Sequence, residues 1–369
     1  MKRLVLLILS VGMLLSGCGW LRDSYVSVTP HRYTNADRND EVVSASNYDQ
    51  LCNALEEMIH SGMESSVINV ADYDTAAVEG DMKRAQSHVH RHDPIGAYAV
   101  ESIACELGTT GTVPAIAVEI VYRHSRTELR QIQTVQGMDA VRDQIGTALQ
   151  RCNSSLVMLV NSYEETDLVQ LTEDYAAQHP DSVMEVPSVS GQTYPESGSV
   201  RVLELRFTYQ NSRDDLRQMQ QQVSPVFASA VLYVSGNDAE ARKFSQLHGF
   251  LMERFAEYQN KTSITPAYSL LRHGVGDSRA FAMVYARMCS KAGLDCQIVT
   301  GTRAGEPWNW NMVCSNGYYY HVDLLSGEFA MLTDGQMGEY VWDYSAYPAC
   351  TGEPAVPEGT DPGSTEPEK

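Results

Sequence analysis

The stretch AGLDCQIVTG, residues 292–301, decides the fold of the C-terminal part of this chain. An apolar helical pattern over residues 279–292 precedes it, and Gly293 stands where a helix C-cap is expected. Two strand-like runs follow, residues 310–314 and 318–323, and the Asn-Gly pair between them is typical of a hairpin turn. One helix followed by an antiparallel sheet predicts an α+β domain in which the central helix packs on the sheet.

The order of these motifs resembles the bacterial transglutaminase-like domain, which shares the papain-like Cys-His-Asp arrangement. That family shows a Cys at the start of the central helix, then AG(I/L)xCxxVxG, a HAWN strand, and WYxVD on the next strand. This chain has AGLDCQIVTG, the pair Trp310 and Asn311, and YYHVD at residues 319–323. The resemblance covers residues 223–350, and several motifs in the right order make it fairly specific.

Three positions of the family pattern determine the chemistry that we expect. Counting back from Gly293 puts the nucleophile position on Ser278, and counting back from Trp310 puts the base position on Trp308. The orienting carboxylate remains as Asp323. Tryptophan has only an N–H donor and cannot accept a proton, and a serine hydroxyl without an adjacent base is a poor nucleophile. The resemblance therefore implies a pseudoenzyme whose triad positions are degenerate and in which no residue is catalytic.

Two nearby histidines leave an enzymatic alternative open. His321 precedes Asp323 by two residues, so strand alternation puts both side chains on one face, and His273 precedes Ser278 by five residues. Either imidazole could approach Ser278, which would make the chain a Ser-dependent peptidase or amidase with a rearranged base. For both histidines, an ordinary strand or loop position is the simpler interpretation.

Aromatic residues are dense in the same region and suggest a ligand groove. The expected groove residues are Trp308, Trp310, Tyr319 and His321. Aromatic side chains in a former substrate groove can hold an extended peptide or a glycan by stacking. We therefore expect a non-catalytic binding or scaffold protein with a peptide, protein or cell-wall ligand. A purely structural envelope module is a third interpretation.

The first 18 residues, MKRLVLLILSVGMLLSGC, are typical of a bacterial lipoprotein signal. Two basic residues precede an apolar run, residues 4–15, which is too short to span a bilayer. The following LSGC resembles a lipobox, in which the cysteine receives lipid before cleavage. An ordinary cleaved signal peptide with an incidental cysteine is the alternative. We expect residues 1–17 to be removed, Cys18 to anchor the chain in the cell membrane on its extracytoplasmic face, and residues 18–44 to form a tether.

The region between tether and C-terminal domain contains an internal duplication. YRHSRTELRQ, residues 122–131, aligns with YQNSRDDLRQ, residues 209–218, and six of the ten positions are identical. The alignment predicts two α/β repeats, residues 45–134 and 135–222, that pack together as one body. Each repeat is expected to contain a helix, a strand, a helix, a strand and a short helix.

The serines shared by the two copies, Ser125 and Ser212, are predicted to cap helix N-termini. A duplicated ligand contact is the alternative interpretation.

HVHRH, residues 88–92, has histidines at alternate positions, which in an extended chain would point the same way. No cysteine or carboxylate cluster with ligand spacing lies beside it apart from Asp93, so an exposed loop before Pro94 is favoured over a metal site. We expect no metal and no cofactor.

Charge and cysteine content limit the partners and the crosslinks. The net charge of −20 excludes nucleic acid as a partner of this surface.

Seven cysteines follow Cys18 in a compartment that permits disulfides, and Cys314 with Cys350 is the first pair to consider. Small buried cysteines are an equally good interpretation. Residues 351–369 contain four prolines and five acidic residues and should form a disordered tail.

Overall fold

The computed structural model describes residues 43–257 and 265–352. The predicted signal peptide, Cys18, nearly all of the predicted tether and residues 353–369 of the predicted tail lie outside the described residues. Within the described ranges, no helix combines the length and the apolar character that crossing a membrane requires.

The first α/β unit places three helices and a short fourth around a three-stranded antiparallel sheet. Its elements are α1 (Tyr48–Ser61), β1 (Ser65–Asn69), α2 (Val78–His92), α3 (Pro94–Ala99), β2 (Val100–Thr110), β3 (Val113–Tyr122) and α4 (Arg126–Leu129). The strands lie in the order β1–β3–β2. Helix α1 forms because Leu51, Leu55 and Met58 recur at helical spacing and are buried, and Gly62 ends it in the left-handed conformation.

The second α/β unit has a four-stranded mixed sheet. Its elements are β4 (Gln133–Gln136), α5 (Gly137–Gln150), β5 (Ser155–Asn161), α6 (Leu168–Gln178), β6 (Ser188–Tyr194), β7 (Val200–Thr208) and α7 (Arg213–Tyr233). The strands lie in the order β4–β5–β7–β6, with β4 parallel to β5. Val202 of β7 belongs to the hydrophobic core of the first unit, so the two units pack against each other.

The two units differ from the predicted order and from each other, because the first also contains α3, while the second begins with β4 and ends with the 21-residue α7 where a short helix was predicted. In each, a hairpin of two strands follows the second long helix, where the sequence analysis expected a single strand. The missed strands, β2 and β6, are edge strands with mostly exposed side chains, so neither carries a clear alternation of buried and exposed residues. The duplication itself stays a prediction.

The predicted serine caps are confirmed in both units. The Ser125 side chain accepts a hydrogen bond from the Glu128 backbone N–H, and the Ser212 side chain accepts one from that of Asp215.

The predicted loop at residues 88–92 is wrong, because these residues form the last turns of α2. The apolar spacing of Met82, Ala85 and Val89, all buried, extends the helix up to Pro94. The histidines therefore follow a helical surface and do not alternate as they would along an extended chain.

The C-terminal domain surrounds one central helix. It comprises α8 (Glu240–Met252), β8 (Ala256–Glu257), α9 (Pro266–His273), β9 (Val275–Gly276), α10 (Ser278–Lys291), β10 (Cys296–Arg303), β11 (Glu306–Ser315), β12 (Tyr318–Val322), a 3-10 turn (Asp334–Gln336) and β13 (Tyr340–Trp342). The sheet order is β12–β11–β10–β13, antiparallel throughout. The predicted α+β arrangement, with a central helix on an antiparallel sheet, is confirmed.

Helix α10 is buried on most of its surface because helices cover one side and the sheet covers the other. Phe281 and Tyr285 are fully buried, and burying each contributes about 1.5–3 kcal/mol. The helix ends in a Schellman motif, since Leu294 N–H donates to the Cys289 carbonyl and Gly293 is left-handed at φ +73°. Gly301 is required because a Cβ there would overlap the Val341 carbonyl of β13.

A helix and an ion-pair cluster connect the second unit to this domain. The predicted boundary between residues 222 and 223 falls inside α7, whose buried Val223, Phe227 and Ala230 keep helical spacing. Asp181, which follows α6, lies 2.7 Å from the Arg287 guanidinium and 2.8 Å from the Lys291 ammonium.

Candidate functional site

Ser278 is the first residue of α10 and faces strand β11. The Asp277 side chain caps the helix by accepting from the Ala280 N–H at 2.9 Å. The Ser278 side chain is 8% exposed, and its Oγ accepts a hydrogen bond from the Asn309 backbone N–H at 3.2 Å. Ser278 therefore lies at a helix N-terminus beside a sheet. At such a position the helix dipole would stabilise the thiolate of a cysteine.

Trp308 of β11 contacts the buried acid Asp323. Its indole Nε1–H donates to Asp323 Oδ2 at 3.0 Å. In a Cys-His-Asp arrangement an imidazole N–H makes this contact and keeps a second nitrogen free to accept a proton. The indole makes the same contact and has no second nitrogen.

The Asp323 carboxylate is almost fully buried and accepts several hydrogen bonds. Oδ2 accepts from Trp308, from the Arg303 guanidinium at 3.1 Å and from the Tyr340 hydroxyl at 2.6 Å, and Oδ1 accepts from the Leu325 N–H at 3.0 Å. Burial and, to a smaller extent, the hydrogen bond to Asp323 raise the pKa of Tyr340 well above its ordinary value. The acid that would orient a catalytic base instead holds together side chains from β10, β11 and β13.

Neither histidine of the enzymatic alternative hydrogen-bonds Ser278. His321 is fully buried, its Nδ1 accepts from the Trp310 indole at 2.9 Å, and its Nε2 lies 2.9 Å from Asp334 Oδ1. Burial lowers the pKa of His321. His273 is exposed at the end of α9.

The sequence analysis missed a third histidine, His248 on α8. It is 7% exposed and its Nε2 has no hydrogen-bond partner. Burial lowers its pKa, partly offset by a hydrogen bond to the Leu324 backbone and by the Asp323 charge. No sequence signal could have singled it out, because it is a lone histidine on an amphipathic helix.

The family model of the transglutaminase-like superfamily matches residues 229–324, from the end of α7 to the residue after Asp323. These residues form a transglutaminase-like domain. No curated protein matches the chain.

Three solved structures are similar to the chain at low identity. A TGase is 12% identical with a TM-score of 0.27, over 46% of this chain and 51% of that one. A candidate cysteine protease from Cytophaga hutchinsonii is 11% identical with a TM-score of 0.27, over 42% of this chain and 65% of that one. A candidate protease from Parabacteroides distasonis is 8% identical with a TM-score of 0.23, over 73% of this chain and 44% of that one. The chain thus spans between 44% and 65% of the length of these proteins.

The predicted aromatic groove of the transglutaminase-like domain is wrong for two of its four residues. Trp310 is 1% exposed and His321 is fully buried, so neither can line an open groove. They are core residues because the Trp310 indole packs edge-on against Trp342 and donates its N–H to His321. Trp308 and Tyr319 are half-buried and remain accessible.

The transglutaminase-like domain and the second α/β unit enclose a cleft of about 770 Å³. Its walls come from α6, from one side of α10 and from β10. Arg279 and Asn309 line one part of it, and both are neighbours of Ser278, by sequence and by hydrogen bond respectively. The accessible space at this site therefore extends along α10.

One group in the described part of the chain has the composition of a metal site. Ligand atoms of His321, Asp334 and Cys350 lie within 4.8 Å of one another. Because the Trp310 indole can only donate, His321 Nδ1 carries the lone pair and Nε2 carries the proton that faces Asp334. Neither nitrogen offers a free lone pair to a metal ion, so these residues fit a buried hydrogen-bonded cluster.

All seven cysteines among the described residues are free thiols, so the structure agrees with the interpretation of small buried cysteines and contains no Cys314–Cys350 disulfide. Cys350 is buried beside Asp334, which accepts its backbone N–H at 3.0 Å. Cys314 lies opposite Tyr319 in the β11–β12 ladder.

Proposed function

We propose that this chain is a lipid-anchored, extracytoplasmic, non-catalytic binding or scaffold protein built on a transglutaminase-like domain. One observation carries the proposal. The Trp308 indole donates to Asp323 in the place of a catalytic imidazole, and it cannot accept a proton.

Acyl transfer requires a group that removes the nucleophile's proton and returns it to the leaving group. With an indole beside Asp323, the Trp308 position offers no acceptor for the proton of the Ser278 hydroxyl. When the nucleophile or base of such a triad is removed, catalysis falls by roughly 10⁶-fold.

The catalytic half of the proposal is tested by turnover. The purified chain is offered amide and ester substrates beside its Ser278→Ala variant, and we expect equal background hydrolysis. Turnover that disappears with Ser278→Ala would overturn the non-catalytic proposal.

A Ser-dependent peptidase or amidase is the second candidate, and one observation favours it. The unpartnered Nε2 of the buried His248 has the chemistry of a base, and the Asp323 charge acts on it. The same assay with His248→Gln distinguishes the two candidates. Under this second candidate, both Ser278→Ala and His248→Gln abolish turnover.

The lipid anchor is supported by the sequence of residues 1–18, and lies outside the described residues. Cells are given an alkyne-tagged fatty acid, and the chain is compared with its Cys18→Ala variant. We expect label and membrane sedimentation for the first and neither for the second. A labelled Cys18→Ala variant would remove this part of the proposal.

A further inference from the structure

Strand β10 has a partner on only one side over most of its length. It pairs with β11 from Cys296 to Arg303, but β13 covers only Gly301, Thr302 and Arg303 on the other side. Residues 296–300 therefore form an open sheet edge. Exposed edges are usually protected by a charged residue or a proline, and CQIVT contains neither.

The direction of the backbone groups along this edge follows from the ladder. The Cys314 N–H donates to the Asp295 carbonyl, so Gln297 and Val299 also direct their backbone groups toward β11. Cys296, Ile298 and Thr300 then direct theirs outward. The Tyr347 hydroxyl accepts from the Thr300 N–H at 3.3 Å, while the outward groups of Cys296 and Ile298 have no partner in the described part of the chain.

The 770 Å³ cleft lies along this edge and has room for a ligand. Cys296, Gln297, Ile298 and Thr300 all line it. Gln297 projects from the opposite sheet face to the other three, so the space includes the edge itself. A volume of this size is typical of a binding pocket, and an added strand would lie about 4.8 Å from β10.

The chemistry of the walls indicates what kind of chain fits. Met283, Ala286 and Ile298 give the cleft an apolar floor on the α10 side. Arg279, in the first turn of α10, is exposed and forms no ion pair with any described residue, although the protein has a net charge of −20. The α6 wall carries the acidic Glu173 and Asp174. An apolar side chain over the floor, one carboxylate near Arg279 and a neutral or basic group toward α6 would complement these walls.

We propose that the open edge of β10 binds an extended peptide with one acidic side chain as an additional strand. Main-chain hydrogen bonds to Ile298 hold the peptide, an apolar side chain faces Met283, and an acidic group pairs with Arg279. This inference rests on the proposed binding function and names its ligand class. It places the ligand beside Ser278, along α10, and not over the Trp308 indole.

The test starts from a phage-displayed library of random heptapeptides selected on the full chain in detergent. Enriched peptides are labelled, and their Kd values are measured by fluorescence anisotropy. Ile298→Pro removes the outward N–H together with the Ile298 side chain, and should weaken binding by at least about tenfold, the effect of one lost hydrogen bond. Arg279→Glu should weaken it further, and the matched control Arg217→Glu, at an exposed arginine of α7 outside the cleft, should change Kd by less than about twofold.

A second probe protects the test against misfolding of the proline variant. Enriched peptides are resynthesised with N-methylated amides at alternate positions, and one of the two alternating sets should abolish binding to the unmodified chain. The inference is overturned if no peptide is enriched, if neither methylated set loses affinity, or if a folded Ile298→Pro variant binds normally. It is also overturned if the chain forms a dimer that Ile298→Pro dissolves, since a second copy would then occupy the edge. Cleavage of a bound peptide in a Ser278-dependent manner would leave this inference intact and refute the non-catalytic proposal.

Discussion

The transglutaminase-like domain contains two clusters of side chains of the types that catalytic triads use. In the first cluster, Ser278 begins α10 and accepts from the Asn309 N–H of β11, and the neighbouring Trp308 indole donates to Asp323. Deeper in the domain, His321, Asp334 and Cys350 bring an imidazole, a carboxylate and a thiol within 4.8 Å. The imidazole and thiol of the second cluster are buried, and the first cluster has an indole where the family resemblance predicts an imidazole.

The difference shows that residue types alone do not make a catalytic site. His321 uses both ring nitrogens, one to accept from Trp310 and one to face Asp334. Burial raises the pKa of Cys350 to about 12, so its thiol stays protonated at neutral pH. A catalytic base needs a free lone pair and access to substrate, and the fully buried His321 has neither.

The largest expected effect concerns the buried acid Asp323. Asp323→Ala should lower the free energy of unfolding by about 3–5 kcal/mol, because it leaves Arg303 without its partner in a buried pair. Urea unfolding measures this, with the exposed Asp343→Ala as the control. Equal stability of the two variants would show that Asp323 does not organise the domain.

A slightly smaller loss is expected from the buried cluster. His321→Ala should cost about 2–4 kcal/mol, since it opens a cavity and leaves the Trp310 N–H without an acceptor. The exposed His273→Ala provides the comparison in the same unfolding experiment. If both histidine variants unfold at the same urea concentration, the buried cluster does not stabilise the domain.

Introducing a cysteine at position 278 and a histidine at position 308 should create a reactive thiol. In the Ser278→Cys/Trp308→His variant, a thiol at a helix N-terminus next to an imidazole should have a lowered pKa. We expect iodoacetamide to alkylate residue 278 at pH 6.5 at least about tenfold faster than in Ser278→Cys alone. Mass spectrometry of the labelled peptide separates this site from the other cysteines. Equal rates would mean that position 308 does not face the nucleophile position.

The smallest effect is a pH dependence of stability. Burial lowers the pKa of His321, so the unfolded imidazole takes up a proton near pH 6.5 before the folded one does. The unfolded state then binds more protons, and stability should fall as the pH decreases below about 6.5, by at most about 1.4 kcal/mol per pH unit for this group. His179 and His248 act in the same direction, and His60, whose pKa is raised, acts in the opposite one. Urea unfolding between pH 7.5 and 5.5 should show a shallower dependence in His321→Asn, and an unchanged dependence would contradict the assignment.

Much of the fold could be predicted because it depends on local patterns. The helical spacing before Gly293 predicts α10, and the Asn-Gly pair predicts the β11–β12 hairpin, in which Asn316 and Gly317 both have positive φ. The strands β2 and β6 escaped because their side chains lie mostly in solvent and show no alternation. The groove prediction was wrong for Trp310 and His321 because burial depends on β13 and the segment after it, which pack against them.

From the sequence by itself, motif spacing predicts that Ser278, Trp308 and Asp323 occupy the three triad positions of the family pattern. Only the tertiary structure decided what those side chains contact. Arg303 and Tyr340, on two different strands, donate hydrogen bonds to Asp323. Asp334, in the 3-10 turn, is the hydrogen-bond partner of His321 Nε2. The physical reason is that hydrogen-bond partners and strand pairing depend on contacts between segments that are far apart in the chain. Local residue spacing does not determine those contacts.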